Sequence, residues 1–188
     1  MDTSWNTVLW SQFGATIDML DNALVACPES LWRERLWRDT PGDPPLPEFA
    51  EFWFVAYHAL FWLDLYLSGS PEEDFTPPAP FAWVELDPDW VVPERPYTRA
   101  ELRAYLASLR QKCQTTLVAL TDEQARRPVA YPWAEELAFT YLELQLYNMR
   151  HVQEHAAQLA LALGQHGIHT EESWVARPRD NHDEYCGG

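Results

Sequence analysis

The stretch EFAEFWFVAYHALFWLDLYLS, residues 48–68, is apolar on nearly every face if it is wound as a helix. A helix with one polar side can lie at a surface, but a helix without one must be enclosed. Its 21 residues match a membrane span in length, yet Glu48, Glu51 and Asp64 interrupt it. No run of about 18 apolar residues occurs anywhere in the chain, so no membrane span is expected. The segment is therefore expected to be buried inside a helical core, or to meet a second copy of the chain as well.

The rest of the sequence supplies the cover. Over residues 3–27, Leu9, Phe13, Ile17, Leu20, Leu24 and Cys27 recur at helical spacing, with Thr16 beside them, and Pro28 stops the run. A short helical piece, ESLWRERLWRD, is expected next, then a proline-rich connector over residues 40–47. Residues 70–97 hold seven of the fifteen prolines, which forbids a long helix there. They still carry Phe81, Trp83, Leu86, Trp90, Val91 and Val92, so a long ordered loop wrapped on the core is expected, with these side chains out of water. Thr98-Arg99-Ala100-Glu101 is a capping box that opens a third helix to about residue 120, with Leu102, Tyr105, Leu106, Leu109, Cys113, Leu117 and Leu120 in its stripe. TDEQARRPVAYP reads as a linker, and a fourth helix is expected from about Trp133 to Leu163, ended by Gly164 or Gly167. The chain thus reads as an all-α, antiparallel four-helix bundle over residues 1–165, its one long connection between helices two and three. A polar, irregular tail, 166–188, follows, apart from Trp174 and Val175.

Charge narrows the function. Thirteen basic residues stand against 29 acidic ones, a net of −16 in 188 residues. That field repels phosphate backbones and anionic lipid, so neither nucleic acid nor a membrane surface is expected as a partner. Cys27, Cys113 and Cys186 are odd in number and far apart, which argues against a disulfide framework and for a reducing compartment. The opening MDTSWNTVLWSQFG lacks the features of a signal peptide, and a cytoplasmic protein is expected. Ten tryptophans and an all-round apolar second helix lead to an expected homodimer through the bundle helices.

The chemistry lies in the histidines. His151 and His155, in YNMRHVQEHAAQL, are about 40° apart around a helix and share the stripe of Leu144, Tyr147 and Leu159. Two histidines so placed are either partly exposed neighbours, core imidazoles bonded to carbonyls, or ligands of one metal. Burying imidazoles without partners is costly, which favours the metal. His58, midway along the buried second helix, is available as a third ligand. Three imidazoles from two helices leave a divalent ion with open positions, and zinc, nickel and iron all suit that donor set. His166, His169 and His182 fall in the tail and are expected to be solvated. HVQEH also fits H-x-x-E-H, with Glu154 as a peptidase base, but only 33 residues follow His155 to supply the further carboxylate that such a site needs.

A mid-helix histidine in AYHALFWLDLYL followed by H-x-x-x-H-x-x-Q in NMRHVQEHAAQL resembles the DinB/YfiT-like superfamily, through His58, His151, His155 and Gln158. The likeness covers residues 3–165. It implies a four-helix bundle with a three-histidine metal site, and relatives that include metal-dependent transferases and isomerases using low-molecular-weight thiols such as bacillithiol and mycothiol. The sequence departs from the usual H-x-G-Q at one place, where Ala157 stands for glycine.

One expected function is a metal-dependent transferase or hydrolase that activates a thiol or a water for attack on a small-molecule substrate. Trp53, Phe54, Tyr57, Phe61 and Trp62 are candidates for its apolar wall, although core packing is the expected role for most of them, and Glu154 or Tyr147 are candidates for moving protons. Arg150, the nearest cation in sequence, points about 100° away from His151, which weakens a thiol carrying carboxylates. A non-catalytic bundle that binds a metal or a small apolar ligand is the second reading, and a structural dimer with vestigial histidines the third.

Overall fold

The computed structural model describes residues 4–37, 46–86, 91–131, 139–170 and 174–179. It is an all-α bundle of four long helices: α1 (Trp5–Ala26), α2 (Phe52–Ser68), α3 (Arg99–Val118) and, after a short α4 (Asp122–Ala125) and a two-stranded ribbon, α5 (Tyr141–Gln165). The ribbon pairs β1 (Pro128–Val129) with β2 (Phe139–Thr140), antiparallel. Each long helix packs on two others, α1 on α3 and α5, and α2 on α3 and α5. No helix among the described residues is long and apolar enough to cross a membrane.

The bundle is antiparallel for two neighbour pairs and parallel for the other two. Asp21 meets Arg103, Asp18 meets Arg110 and Asn6 meets Val118, so α3 descends against α1. Along α2, Trp53 packs on Tyr97 while Asp64 reaches Tyr105 and Lys112, so α2 and α3 run the same way. The connection after α2 makes this possible, because it returns the chain to the end where α2 began.

α2 is buried from Phe52 to Leu67 except at His58 and Trp62. Its all-round apolarity is therefore absorbed within one chain, by α3, α5 and the connection. Gly69, at φ 61°, ends it in the left-handed region, where a side chain would also collide with Arg127 and Tyr141.

The connection lies on the core as expected, held where Tyr57 donates its hydroxyl to the Ala82 carbonyl and the Ala82 amide donates to the Tyr97 hydroxyl. Phe81 stacks on Tyr105 with centroids 4.4 Å apart, and Phe75 and Val84 are buried. The expectation for its other side chains needs correction. Trp83 and Val91 are exposed, and Leu86 and Val92 are only partly buried, because an irregular segment pinned on one side leaves its other side to water. Trp90 lies outside the described residues.

The two boundaries around the ribbon also move. The expected linker contains α4, opened by a capping box from Thr121 to Gln124. The fourth helix starts at Tyr141, not near Trp133, because Phe139 and Thr140 pair with the β1 strand and Thr140 caps the helix with Glu143. Residues 133–138 lie outside the described set. α5 closes at Gly167, φ 74°, where the Ile168 amide donates back to the Leu163 carbonyl.

The described part of the tail is irregular but docked. Val175 is buried, and the Arg179 amide donates to Asp18 of α1 at 2.6 Å. Asp18 also takes the buried Arg110 guanidinium of α3 at 3.0 Å.

Candidate metal centre

The register between α2 and α5 decides where the histidines fall. Gln145 of α5 donates its side-chain amide to the Tyr66 carbonyl at 2.8 Å, and Asn148 donates to the Leu63 carbonyl at 3.3 Å. Tyr141 adds a bond from its hydroxyl to the Leu67 carbonyl at 2.7 Å. The Tyr66 and Leu67 carbonyls, in the last turn of α2, lack partners along the helix, and α5 supplies them. Antiparallel register follows: residue 66 faces 145 and residue 63 faces 148. Carried on, residue 58 faces 153, midway between His151 and His155.

The three imidazoles meet there. His58 Nε2 lies 3.1 Å from His151 Nε2, which lies 3.0 Å from His155 Nε2. Nitrogens that each sit about 2.1 Å from one ion are themselves about 3 Å apart or a little more. His155 Nδ1 donates to Gln158 Oε1 at 2.8 Å, which fixes the tautomer that leaves Nε2 bare for a ligand. The Nδ1 of His151 is buried and finds no hydrogen-bond partner among the described residues. Burial, then the neighbouring His58 and His155, pull the His151 pKa down to about 2. Three ring nitrogens this close together suit a cation, so the residues present fit a divalent metal. No carboxylate or thiol joins the cluster among the described residues.

His58, His151 and His155 are thus brought together as the sequence suggested, and all three are partly accessible. His166 and His169 are apart from them, near the end of α5, while His182 lies outside the described residues. Most of the candidate aromatic wall packs in the core, as expected. Trp53, Phe54, Tyr57 and Phe61 are buried among Phe49, Phe75, Phe81 and Tyr97, where they build the core. Only Trp62 borders the site, with its ring 6.3 Å from that of His58.

Tyr66 completes the border. It packs on Trp62 at 5.3 Å, on Tyr147 at 5.8 Å and on His151 at 6.5 Å. The signal for it was present in the sequence, since His58, Trp62 and Tyr66 are four apart on one helical line. Burial pushes the Tyr66 hydroxyl far above the usual phenol range, so it stays protonated. Burial also pushes the Cys27 thiol up to about 12 and raises that of Cys113, so neither is a nucleophile.

A buried-core bundle with three histidines converging from two of its helices defines a class of metal-binding four-helix proteins. The DinB superfamily model matches residues 12–159, and the chain belongs to that superfamily. Comparison with curated proteins finds no match.

Proposed function

We propose that the protein is a metal-dependent enzyme of the transferase or hydrolase type, with His58, His151 and His155 holding one divalent ion, zinc, nickel or iron. The observation that carries this reading is the convergence of three imidazoles, with His151 Nε2 lying 3.1 Å from His58 Nε2 and 3.0 Å from His155 Nε2. Such an ion, when bound, lowers the pKa of a water or thiol beside it and so supplies a nucleophile near neutral pH.

The chain's own residues do the rest. Gln158 orients His155 through Nδ1. Gln145 and Asn148 fix the height of α5 against α2. Trp62, Tyr66 and Tyr147 form an apolar flank on which an organic substrate can lie while water is kept off that side. Tyr66, held protonated, can donate a hydrogen bond but cannot act as a base.

One observation favours a second reading, a bundle that binds a metal without turnover. No carboxylate stands within the histidine cluster among the described residues to carry a proton away.

Elemental analysis of protein purified without an affinity tag tests the metal. His58→Ala, His151→Ala and His155→Ala should each lose most of the bound ion, and His166→Ala and His169→Ala should keep it. Full metal content in His58→Ala would replace the three-histidine site with one that has another third ligand. Turnover of a thiol with a model electrophile then separates the enzyme from the binding protein.

A further inference from the structure

A cleft of about 290 Å³ opens between α1, α5 and the docked tail, lined among others by Met19, Met149, Arg150, Gln153 and Trp174. At about 100° per residue, Met149, Arg150 and Gln153 lie on the opposite flank of α5 from His151 and His155. The cleft is therefore separate from the histidine cluster.

Its charge is unusual for this chain. With 29 acidic and 13 basic residues, most arginines here stand beside an acid: Arg33, Arg95, Arg99, Arg103, Arg110, Arg126 and Arg179 all form ion pairs. Among the described residues, only Arg150 and Arg177 of the arginines make no hydrogen bond, ion pair or ring contact. Arg150 stays unpaired although Glu154 follows it by one turn. It lines the cleft, and Arg177 directly follows Ala176, which also lines it. Gln153 adds an amide whose donor is spent only on the Met19 sulfur, at 3.5 Å. Beside Gln12, Thr16 and small apolar residues, the lining holds two thioethers and the Trp174 indole, which is 73% exposed although its neighbour Val175 is buried.

We propose that this cleft binds a small aryl carboxylate. The carboxylate pairs with the Arg150 fork, and the Gln153 amide offers a further donor. The ring lies between the methionine sulfurs and the Trp174 indole, contacts that suit an aromatic face and edge. The volume admits a molecule of one or two rings. Because the tail forms one wall, an occupied cleft also fastens Trp174 to the bundle.

The test uses 2-naphthoate in isothermal titration against the full chain, with 2-naphthamide as the uncharged control. Saturable binding of one equivalent is expected, about tenfold weaker for the amide and for Arg150→Gln, and intermediate for Arg150→Lys. Arg150 is exposed, so its replacement leaves the fold intact. Trp174→Ala should weaken binding as well, and His58→Ala should not change it. Failure to saturate, or equal affinity in Arg150→Gln, would overturn the proposal. So would loss in His58→Ala with retention in Arg150→Gln, which would seat the carboxylate at the histidines instead.

Discussion

Gln145 is fully buried, and its side-chain amide donates to the backbone carbonyl of Tyr66 at 2.8 Å. This one bond, reaching from the second turn of α5 to the last turn of α2, does two things. It satisfies a carbonyl that the end of its own helix cannot, and it sets the step at which His58 faces the gap between His151 and His155.

Gln145→Leu should therefore hurt both stability and the site. A leucine fills the volume but leaves a buried carbonyl without its donor, at a cost of about 1–3 kcal/mol. The denaturation midpoint in urea should fall by the corresponding amount. Metal affinity should fall too, because the helices lose one of the bonds that hold their register. An unchanged midpoint would mean that the Tyr66 carbonyl finds another partner.

Gln158 acts at shorter range. It touches His155 Nδ1 and holds the ring with Nε2 toward the other two histidines. Gln158→Leu should lower metal affinity by about 10–100-fold, the usual effect of removing the partner behind a ligand. The half-buried position makes the fold itself tolerant, so metal-free thermal stability should move little. A competition titration with a chromogenic chelator gives the affinity. Equal loss in affinity and in metal-free stability would mark Gln158 as a packing residue.

Much of this was legible in the sequence. The periodic stripes located α1 and α3 to within two residues, and the capping box at Thr98 fixed the start of α3. His151 and His155 stood out because helical spacing is a local property that a sequence displays directly, and His58 was added from its place midway along a buried helix and from the family resemblance. What escaped depends on contacts between distant segments. Phe139 and Thr140 look like helix by composition but join β1 because Pro128 and Val129 lie beside them in space. Trp83 looks like core by hydrophobicity, yet the loop that carries it is pinned at Tyr57 and Tyr97 and turns it outward. The shared direction of α2 and α3 follows from where a proline-rich connection lands, which its residues do not reveal.

Stability should depend on pH through His151. In the folded, metal-free protein its pKa is held down to about 2, chiefly by burial. In the unfolded chain it returns to about 6.5. Below about 6.5 the unfolded state thus binds one more proton than the folded state, and each further pH unit should remove up to about 1.4 kcal/mol. Above 6.5 neither state binds that proton and this dependence vanishes. Urea unfolding with chelator present, between pH 7.5 and 5, should show the loss, and His151→Leu should flatten it. A parent and variant with the same slope would rule out His151 as the source.

Asp18 ties the tail to the bundle, and its loss should show how much the tail matters. Its carboxylate is almost fully buried and accepts from Arg110 Nε at 3.0 Å and from the Arg179 backbone amide at 2.6 Å. Arg110 in turn donates to the Arg179 carbonyl at 2.6 Å and lies over the Trp10 ring at 5.5 Å. Asp18→Ala removes one partner of the buried Asp18–Arg110 pair, and breaking such a pair typically costs about 3–5 kcal/mol. Asp18→Ala with Arg110→Leu should recover part of that, because an apolar pair needs no partner. Neither variant restores the acceptor for the Arg179 amide, so in both the tail should be held on α1 more loosely, through the Arg179 side chain on Asp21 and Asn22. Trypsin should then cut after Arg179 faster in both variants than in the parent. A double variant that regains stability while its tail stays protected would show that Val175, Pro178 against Gly14 and the Arg179 side chain on Asp21 and Asn22 are enough to hold it.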